Sequence, residues 1–137
     1  MNAQPVRRRA PLRVVVVEDH CELRRRLVEA IDSQSDMHCI ASVAAAEQVV
    51  QAACRANADV VVLDLMLEGA NALHLIRDVK AALPGTRIIV YSGYASPVLA
   101  GEARCRGASG YVPKSGAVDE LLLEIRTACY CGFGARF

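Results

Sequence analysis

Five polar side chains in this sequence could do chemistry together, because each follows a hydrophobic run of the kind that forms a strand. They are three acids, a hydroxyl and an amine: Glu18, Asp19, Asp64, Ser92 and Lys114. Parallel strands that alternate with helices present their carboxyl ends at one edge of a sheet, where residues far apart in sequence can meet. The sequence therefore predicts one pocket that contains three carboxylates, a hydroxyl and an ammonium group.

The chemistry that these groups favour is phosphoryl transfer. A carboxylate at the end of a strand, such as Asp64, can attack phosphorus and form an acyl phosphate if the approaching negative charges are neutralised. Glu18 and Asp19 carry hard oxygen ligands suited to Mg²⁺, a cation that supplies such neutralisation. Lys114 is a point charge that can reach a phosphoryl oxygen from the end of the last strand.

The same residues also have structural interpretations. Asp19 followed by Glu22 fits a capping box, so the acidic pair could simply begin a helix. Ser92 could be a turn hydroxyl, with Ser96 and Pro97 as the N-cap and first residue of the next helix. The lysine alone would be a solvated side chain. The combination of all five groups in this order favours a site.

Strands and helices alternate along the chain and would position these groups. We predict strands at residues 13–17, 37–43, 60–65, 87–91 and 110–112, and helices at 20–33, 45–56, 71–83, 97–106 and 118–131. Near-continuous aliphatic strands suit a sheet that is covered on both faces. The fold class is therefore predicted to be α/β, a doubly wound five-stranded parallel sheet with helices on both faces and right-handed crossovers.

Composition limits the possible classes of protein. The 137 residues suit one domain, and the net charge of +1 provides no broad electrostatic surface for nucleic acid or a membrane. The six cysteines lack CxxC spacing and clustered histidines, which favours a reducing cytoplasm over a zinc or disulfide scaffold. No apolar stretch approaches the length of a membrane span. We expect a disordered basic tail at 1–11, a domain at 12–132, and a C-terminal tail or linker start at 133–137.

In order and spacing, these motifs resemble the receiver domain of two-component response regulators over roughly residues 12–132. The resemblance implies a flavodoxin-like sheet with strand order 2-1-3-4-5. It implies that Asp64 is the phosphoacceptor, Asp19 a direct Mg²⁺ ligand and Glu18 a water-mediated one. It also implies that Met66 offers its backbone carbonyl to the metal, and that Mn²⁺ can replace Mg²⁺ in this site.

The resemblance assigns roles to the remaining site residues as well. Ser92 matches the hydroxyl that bonds the phosphoryl group, and Lys114 matches the lysine that pairs with it. Tyr111, in Gly-Tyr-Val-Pro-Lys, matches an aromatic switch, although it could equally be a half-buried aromatic of the sheet. Met66 and Tyr94, two residues beyond the phosphoacceptor and the hydroxyl, are expected to shield the phosphoryl group and prolong its lifetime.

Two departures from the family pattern concern loops near the site. After the phosphoacceptor the family usually has Leu-x-Leu-Pro-Gly and a second glycine, whereas here Glu68 replaces the proline and Ala72 the glycine. The loop is therefore expected to differ in shape, and Glu68 adds negative charge. The residue after the lysine is often a cis proline but here is Ser115, for which a cis bond would cost about 3 kcal/mol, so we expect a trans bond.

The function that the resemblance implies is a phosphorylation-controlled signalling switch in the cytoplasm. Its partner would be a sensor histidine kinase or phosphotransfer protein, and a homodimer could form through the fourth helix, fifth strand and fifth helix. The ending Ala-Cys-Tyr-Cys-Gly-Phe-Gly is similar to receivers that precede a helix-turn-helix domain. We therefore expect control of transcription, with neither membrane contact nor direct nucleic-acid binding by this chain.

Two alternatives belong to other classes. A haloacid dehalogenase-type phosphatase also forms an aspartyl phosphate on a doubly wound sheet, but it needs a second acid where this chain has Met66. A receiver-like docking module would have the fold without phosphorylation. Retention of all five polar groups argues against that module, and the expected chemistry is limited to phosphorylation and dephosphorylation of the chain's own aspartate.

Overall fold

A parallel sheet lies at the centre of the computed structural model, which describes residues 10–93 and 96–131. The described strands are β1 (Leu12–Val17), β2 (Met37–Val43), β3 (Val60–Leu63), β4 (Met66–Leu67), β5 (Ala70–Asn71), β6 (Arg87–Ser92) and β7 (Gly110–Pro113). The described α-helices are α1 (Cys21–Asp32), α2 (Val49–Ala56), α3 (His74–Ala82), α4 (Pro97–Arg106) and α5 (Val118–Cys131). Residues 1–9 of the tail predicted at 1–11 lie outside the described residues, as do residues 94–95, which include Tyr94, and residues 132–137.

The main sheet has the strand order β2-β1-β3-β6-β7, and each neighbouring pair is parallel. Counted over the main strands, this is the predicted order 2-1-3-4-5. The order reverses direction between β1 and β3, and the carboxyl ends of these two strands flank the crevice where doubly wound folds place their sites. The prediction of a flavodoxin-like sheet is confirmed.

Helices cover both faces of the sheet, which explains the unbroken aliphatic runs. On one face Val15, Val17, Val61 and Leu63 pack against apolar side chains of α2, α3 and α4. On the other face Val14, Val16, Val60 and Val62 pack against α1 and α5. Because neither face meets water, residues of both alternating sets are apolar.

Several predicted element bounds are wrong, all of them beside loops. The predicted helix 45–56 begins with a 3-10 turn at Ala46–Gln48 and becomes α-helical only at Val49–Ala56. The predicted strand 60–65 ends at Leu63, and the helix expected from residue 71 begins at His74. The intervening residues form a small antiparallel hairpin, β4–β5, whose short strands were not predicted.

The alternative interpretation of Asp19 as the cap of α1 is not borne out by the structure. The N-cap is His20, whose Nδ1 accepts a hydrogen bond from the Leu23 N–H at 3.2 Å. Asp19 instead accepts a hydrogen bond from the distant Glu68 N–H, so its carboxylate is turned away from the helix. At α4 the expected cap is confirmed, because the Ser96 side chain accepts from the Leu99 N–H and proline follows at the first position.

Within these described ranges, none of the helices combines the length and apolarity needed to cross a bilayer.

Candidate functional site

The carboxyl ends of β1 and β3 bring the three predicted acids together. Val17 pairs with Leu63 in the sheet, so the residues that follow these two positions emerge side by side. Carboxylate oxygens of Glu18, Asp19 and Asp64 all lie within 4.8 Å of one another. Glu18 and Asp64 are buried, whereas Asp19 is exposed.

Lys114 joins two of these acids. Its Nζ lies 2.6 Å from Glu18 Oε1 and 3.0 Å from Asp64 Oδ2. The lysine follows β7, two strands away from β3, and its backbone N–H donates to the Ser92 carbonyl at 2.8 Å. Residues 50 and 96 positions apart therefore meet in one ion-paired cluster, as the order of strand ends predicted.

Backbone N–H groups hold an oxygen of each acid. The His20 N–H donates to Glu18 Oε2 at 3.1 Å, and the Met66 N–H donates to Asp64 Oδ1 at 3.1 Å. The third bond runs from the Glu68 N–H to Asp19 Oδ2 at 2.9 Å. Main-chain groups thus help to orient all three carboxylates, and Lys114 also contacts two of them.

Burial and hydrogen bonds shift the pKa values of the site residues in different directions. Burial raises the pKa of Glu18, an effect that the hydrogen bond from Lys114 opposes but does not overcome. Burial opposes the positive charge of Lys114, but its hydrogen bonds to the two acids outweigh this and raise its pKa. The hydrogen bond from the Glu68 N–H is the main cause that lowers the pKa of Asp19.

Ser92 and Tyr111 lie on the neighbouring strands. Ser92 ends β6, is fully buried, and pairs in register with Pro113 of β7. Tyr111 is 7% exposed and packs in the core on the face covered by α2, α3 and α4, so it is more buried than a half-buried sheet aromatic. The tyrosine also borders an apolar pocket of about 230 Å³, lined by Ser96, Pro97, Ala100, Tyr111 and Pro113.

Of the two loops near the site, one has the predicted peptide bond and the other has a conformation that was not predicted in detail. The bond preceding Ser115 is trans, as expected. Glu68 and Gly69 both have positive φ, 52° and 77°, in the two-residue loop between Leu67 and Ala70, which is the pattern of a type I′ hairpin. The Met66 side chain is 37% exposed beside the acids, while Tyr94 lies outside the described residues.

Two residues that touch the site were not predicted from the sequence. Arg24 Nη1 donates to the Glu18 carbonyl at 2.8 Å, and Lys114 Nζ lies 5.9 Å from the centroid of the Tyr91 ring. Arg24 gave no sequence signal, because it belongs to a run of three arginines on a polar helix face. Tyr91 could have been noticed, since it directly precedes the site serine in an otherwise aliphatic strand.

The donor set fits a hard divalent cation. All three clustered ligands are carboxylates, and such oxygens favour Mg²⁺, Mn²⁺ or Ca²⁺ over metals that prefer sulfur or imidazole. A fold of this topology, with acids at the switch point and a lysine facing them, defines a class of α/β signalling domains. The family described as response regulator receiver domain matches residues 14–126, and the chain belongs to this family.

Two similar proteins have names that describe different activities. The DNA-binding transcriptional activator DevR/DosR of Mycobacterium tuberculosis is 30% identical over 84% of this chain and 53% of its own length. The protein-glutamate methylesterase/protein-glutamine glutaminase of Azospirillum brasilense is 31% identical over 81% of this chain and 29% of its own. The chain thus spans about half the length of the first of these relatives and less of the second.

A solved structure agrees with the fold over most of the chain. The two-component response regulator of the LuxR family from Aurantimonas sp. SI85-9A1 superposes with a TM-score of 0.84 at 26% identity, covering 91% of this chain and 89% of that one. The likeness therefore extends over most of both chains.

Proposed function

We propose that this chain is a phosphorylation-controlled receiver in which Asp64 accepts a phosphoryl group from a sensor histidine kinase or phosphotransfer protein. The observation that carries the proposal is the meeting of three carboxylates with Lys114, whose Nζ lies within 3.0 Å of Asp64. Such a cluster is costly to build for stability alone, because buried charges lose hydration. Its chemistry suits attack by a carboxylate on phosphorus.

In the proposed reaction a carboxylate oxygen of Asp64 forms a bond to phosphorus as the phosphorus–nitrogen bond of the donor phosphohistidine breaks. The imidazole nitrogen of the donor keeps the electron pair and takes up a proton. Asp19, Asp64, the Met66 carbonyl and, through water, Glu18 would hold Mg²⁺, which supplies the positive charge that the meeting anions require. Lys114 would exchange its contact with Asp64 for one with a phosphoryl oxygen.

Phosphorylation would then bias a two-state equilibrium that already exists. The hydroxyl of Ser92 would bond the new phosphoryl oxygens, and Tyr111 would repack toward the apolar pocket beside α4. The face formed by α4, β7 and α5 is the expected surface for a partner or a second copy of the chain.

We infer that the output is control of transcription in the cytoplasm, with residues 12–132 as the receiver. The likeness to DevR/DosR supports this, although the likeness to a methylesterase shows that related receivers serve other outputs. The receiver itself needs no activity beyond formation and hydrolysis of its own aspartyl phosphate. A sensor kinase partner follows from the phosphohistidine donor.

Phosphorylation by a small donor tests the proposal. Incubation with acetyl phosphate and Mg²⁺ should add one phosphoryl group to the wild type, measured by intact mass, because a preformed site needs little from the donor. Asp64→Asn should remain unmodified, and chelation of the metal should prevent the reaction. Unmodified wild type would favour a docking module, whereas modification that survives in Asp64→Asn would place the phosphoacceptor elsewhere.

A further inference from the structure

We propose that the backbone N–H of Glu68 is a positioning group of the acidic site, and that the β4–β5 hairpin serves to present it to Asp19. The inference rests on the proposed function, because it assigns Asp19 to a divalent cation. It goes further because it names a main-chain group that is not among the expected metal ligands. This group orients the ligand Asp19.

The contact joins two parts of the chain that are 49 residues apart. The Glu68 N–H donates to Asp19 Oδ2 at 2.9 Å, and Asp19 is the exposed member of the acidic cluster. The other two acids are buried and also contact Lys114. Asp19 is therefore the acid whose orientation depends most on the hairpin.

The hairpin must adopt an uncommon backbone conformation to present this N–H. Met66 pairs with Asn71 and Leu67 with Ala70, which leaves Glu68 and Gly69 as a two-residue loop with φ of 52° and 77°. Glycine adopts positive φ readily, but a residue with a β-carbon does so seldom. The loop nevertheless holds Glu68 in this conformation, and from there its N–H reaches Asp19 Oδ2.

Proline could not perform this task. Its ring holds φ near roughly −65° and it has no N–H, so it fits neither the loop conformation nor the hydrogen bond. The departure of this chain from the Leu-x-Leu-Pro-Gly pattern thus creates a bond to the acidic site that the usual residue would forbid.

The hydrogen bond leaves Asp19 able to bind a cation. A carboxylate has about four lone-pair positions on its two oxygens, and one N–H on Oδ2 leaves Oδ1 and part of Oδ2 available. Groups that hydrogen-bond to a metal ligand fix its orientation, and their loss typically lowers metal affinity by about 10- to 100-fold.

Two substitutions separate the main chain from the side chain of Glu68. Glu68→Asn removes the carboxylate but keeps the N–H, and asparagine followed by glycine is favoured in type I′ turns. Glu68→Pro removes both the carboxylate and the N–H. Titration calorimetry with MgCl₂ should show unchanged affinity for Glu68→Asn and affinity weaker by about 10- to 100-fold for Glu68→Pro.

A second measurement covers the case in which Glu68→Pro does not fold. Without Mg²⁺, amide hydrogen exchange of Glu68, followed by NMR, should be faster in Asp19→Ala than in the wild type, while exchange within α3 stays the same. Equal exchange of the Glu68 amide in both proteins overturns the inference. Equal loss of affinity in Glu68→Asn and Glu68→Pro also overturns it, because the side chain would then be responsible.

Failure of the proposed function would look different. If the wild type binds no Mg²⁺, the assignment of the acids to a metal fails, and the positioning of Asp19 by Glu68 is then decided by hydrogen exchange alone.

Discussion

Backbone N–H groups donate hydrogen bonds to the acids of the site. The side chains of the donor residues can therefore be substituted without removing these bonds. Each of Glu18, Asp19 and Asp64 accepts a hydrogen bond from a backbone N–H two or more residues further along. A substitution of a donor's side chain therefore leaves the acid in place. Met66 is such a donor, so its side chain can be altered with little effect on the orientation of Asp64.

Met66 is predicted to control the lifetime of the phosphoryl group. Met66 is 37% exposed and its N–H donates to Asp64 Oδ1, so its apolar side chain is expected to exclude the in-line water needed for hydrolysis. Met66→Asn should hydrolyse faster by about tenfold, which corresponds to ~1.4 kcal/mol of barrier. The measurement is decay of the phosphorylated protein after donor removal.

Met66→Leu is the matched control for this prediction, since it keeps an apolar side chain and should decay like the wild type. Combining Met66→Asn with Tyr94→Ala should accelerate decay further if both side chains shield the group. Glu68 could instead orient a water, and decay in Met66→Asn that is equal to or slower than in the wild type would exclude shielding by Met66.

Among the elements, α5 is tied to the start of β2 by an ion pair at the amino edge of the sheet, away from the site. Arg126 Nε lies 2.8 Å from Asp36 Oδ2, and its Nη2 donates to Asp36 Oδ1 at 2.9 Å. The same nitrogen donates to Gln34 Oε1 at 2.8 Å. These three hydrogen bonds anchor the second half of α5, whose first residues follow Lys114 and the site.

The pH dependence of stability should report this ion pair. The hydrogen bond from Arg126 lowers the pKa of Asp36 below its ordinary value of 3.8, so the folded state favours the carboxylate. The contribution to stability is therefore present above pH 3.8 and is lost as pH falls through the lower folded-state pKa. Arg126→Met should reduce the free energy of unfolding by about 1 kcal/mol at neutral pH.

Urea unfolding of wild type and Arg126→Met from neutral pH downward provides the measurement. The difference between them should stay constant to near pH 4 and shrink below it, an expectation set by the direction of the Asp36 shift. Arg25→Met is the control, because Arg25 pairs with Glu29 on an exposed helix face and should cost only about 0.3 to 0.5 kcal/mol. If the difference in the free energy of unfolding persists at the lowest pH, the packing of Arg126, and not its ion pair, is responsible for the lost stability.

At the scale of the whole molecule, the clustered acids should make folding stability depend on the cation. Glu18, Asp19 and Asp64 repel one another, and a bound ion relieves that repulsion in the folded state alone. By mass action the gain is on the order of 2.7 kcal/mol at a hundredfold excess over the dissociation constant. Mg²⁺ should therefore raise the melting temperature.

Thermal unfolding with and without MgCl₂ checks this dependence. Asp19→Asn should lose most of the Mg²⁺-induced shift, whereas Asp78→Asn, a change of an exposed acid on α3, should keep it. If Asp19→Asn retains the full shift, the cation is bound at another place on the molecule.

The sequence by itself determined the layers of the fold and predicted that three acids and Lys114 would meet. The helix Pro97–Arg106, which has a Ser-Pro start, and the strand Met37–Val43 were both predicted with the bounds that the structure shows. The acids were found because a polar residue directly after an aliphatic strand must emerge at the sheet edge. These signals are local, since a few neighbouring residues carry all of the information.

Only the tertiary structure decided which groups those residues contact. Asp19 has a partner 49 positions away, the N–H of Glu68 in the hairpin loop, and does not cap α1. Arg126 and Asp36 meet across 90 positions in the same manner. Such hydrogen bonds join residues that the packing of strands and helices brings together. A pattern of adjacent residues does not show which distant residue will be the partner.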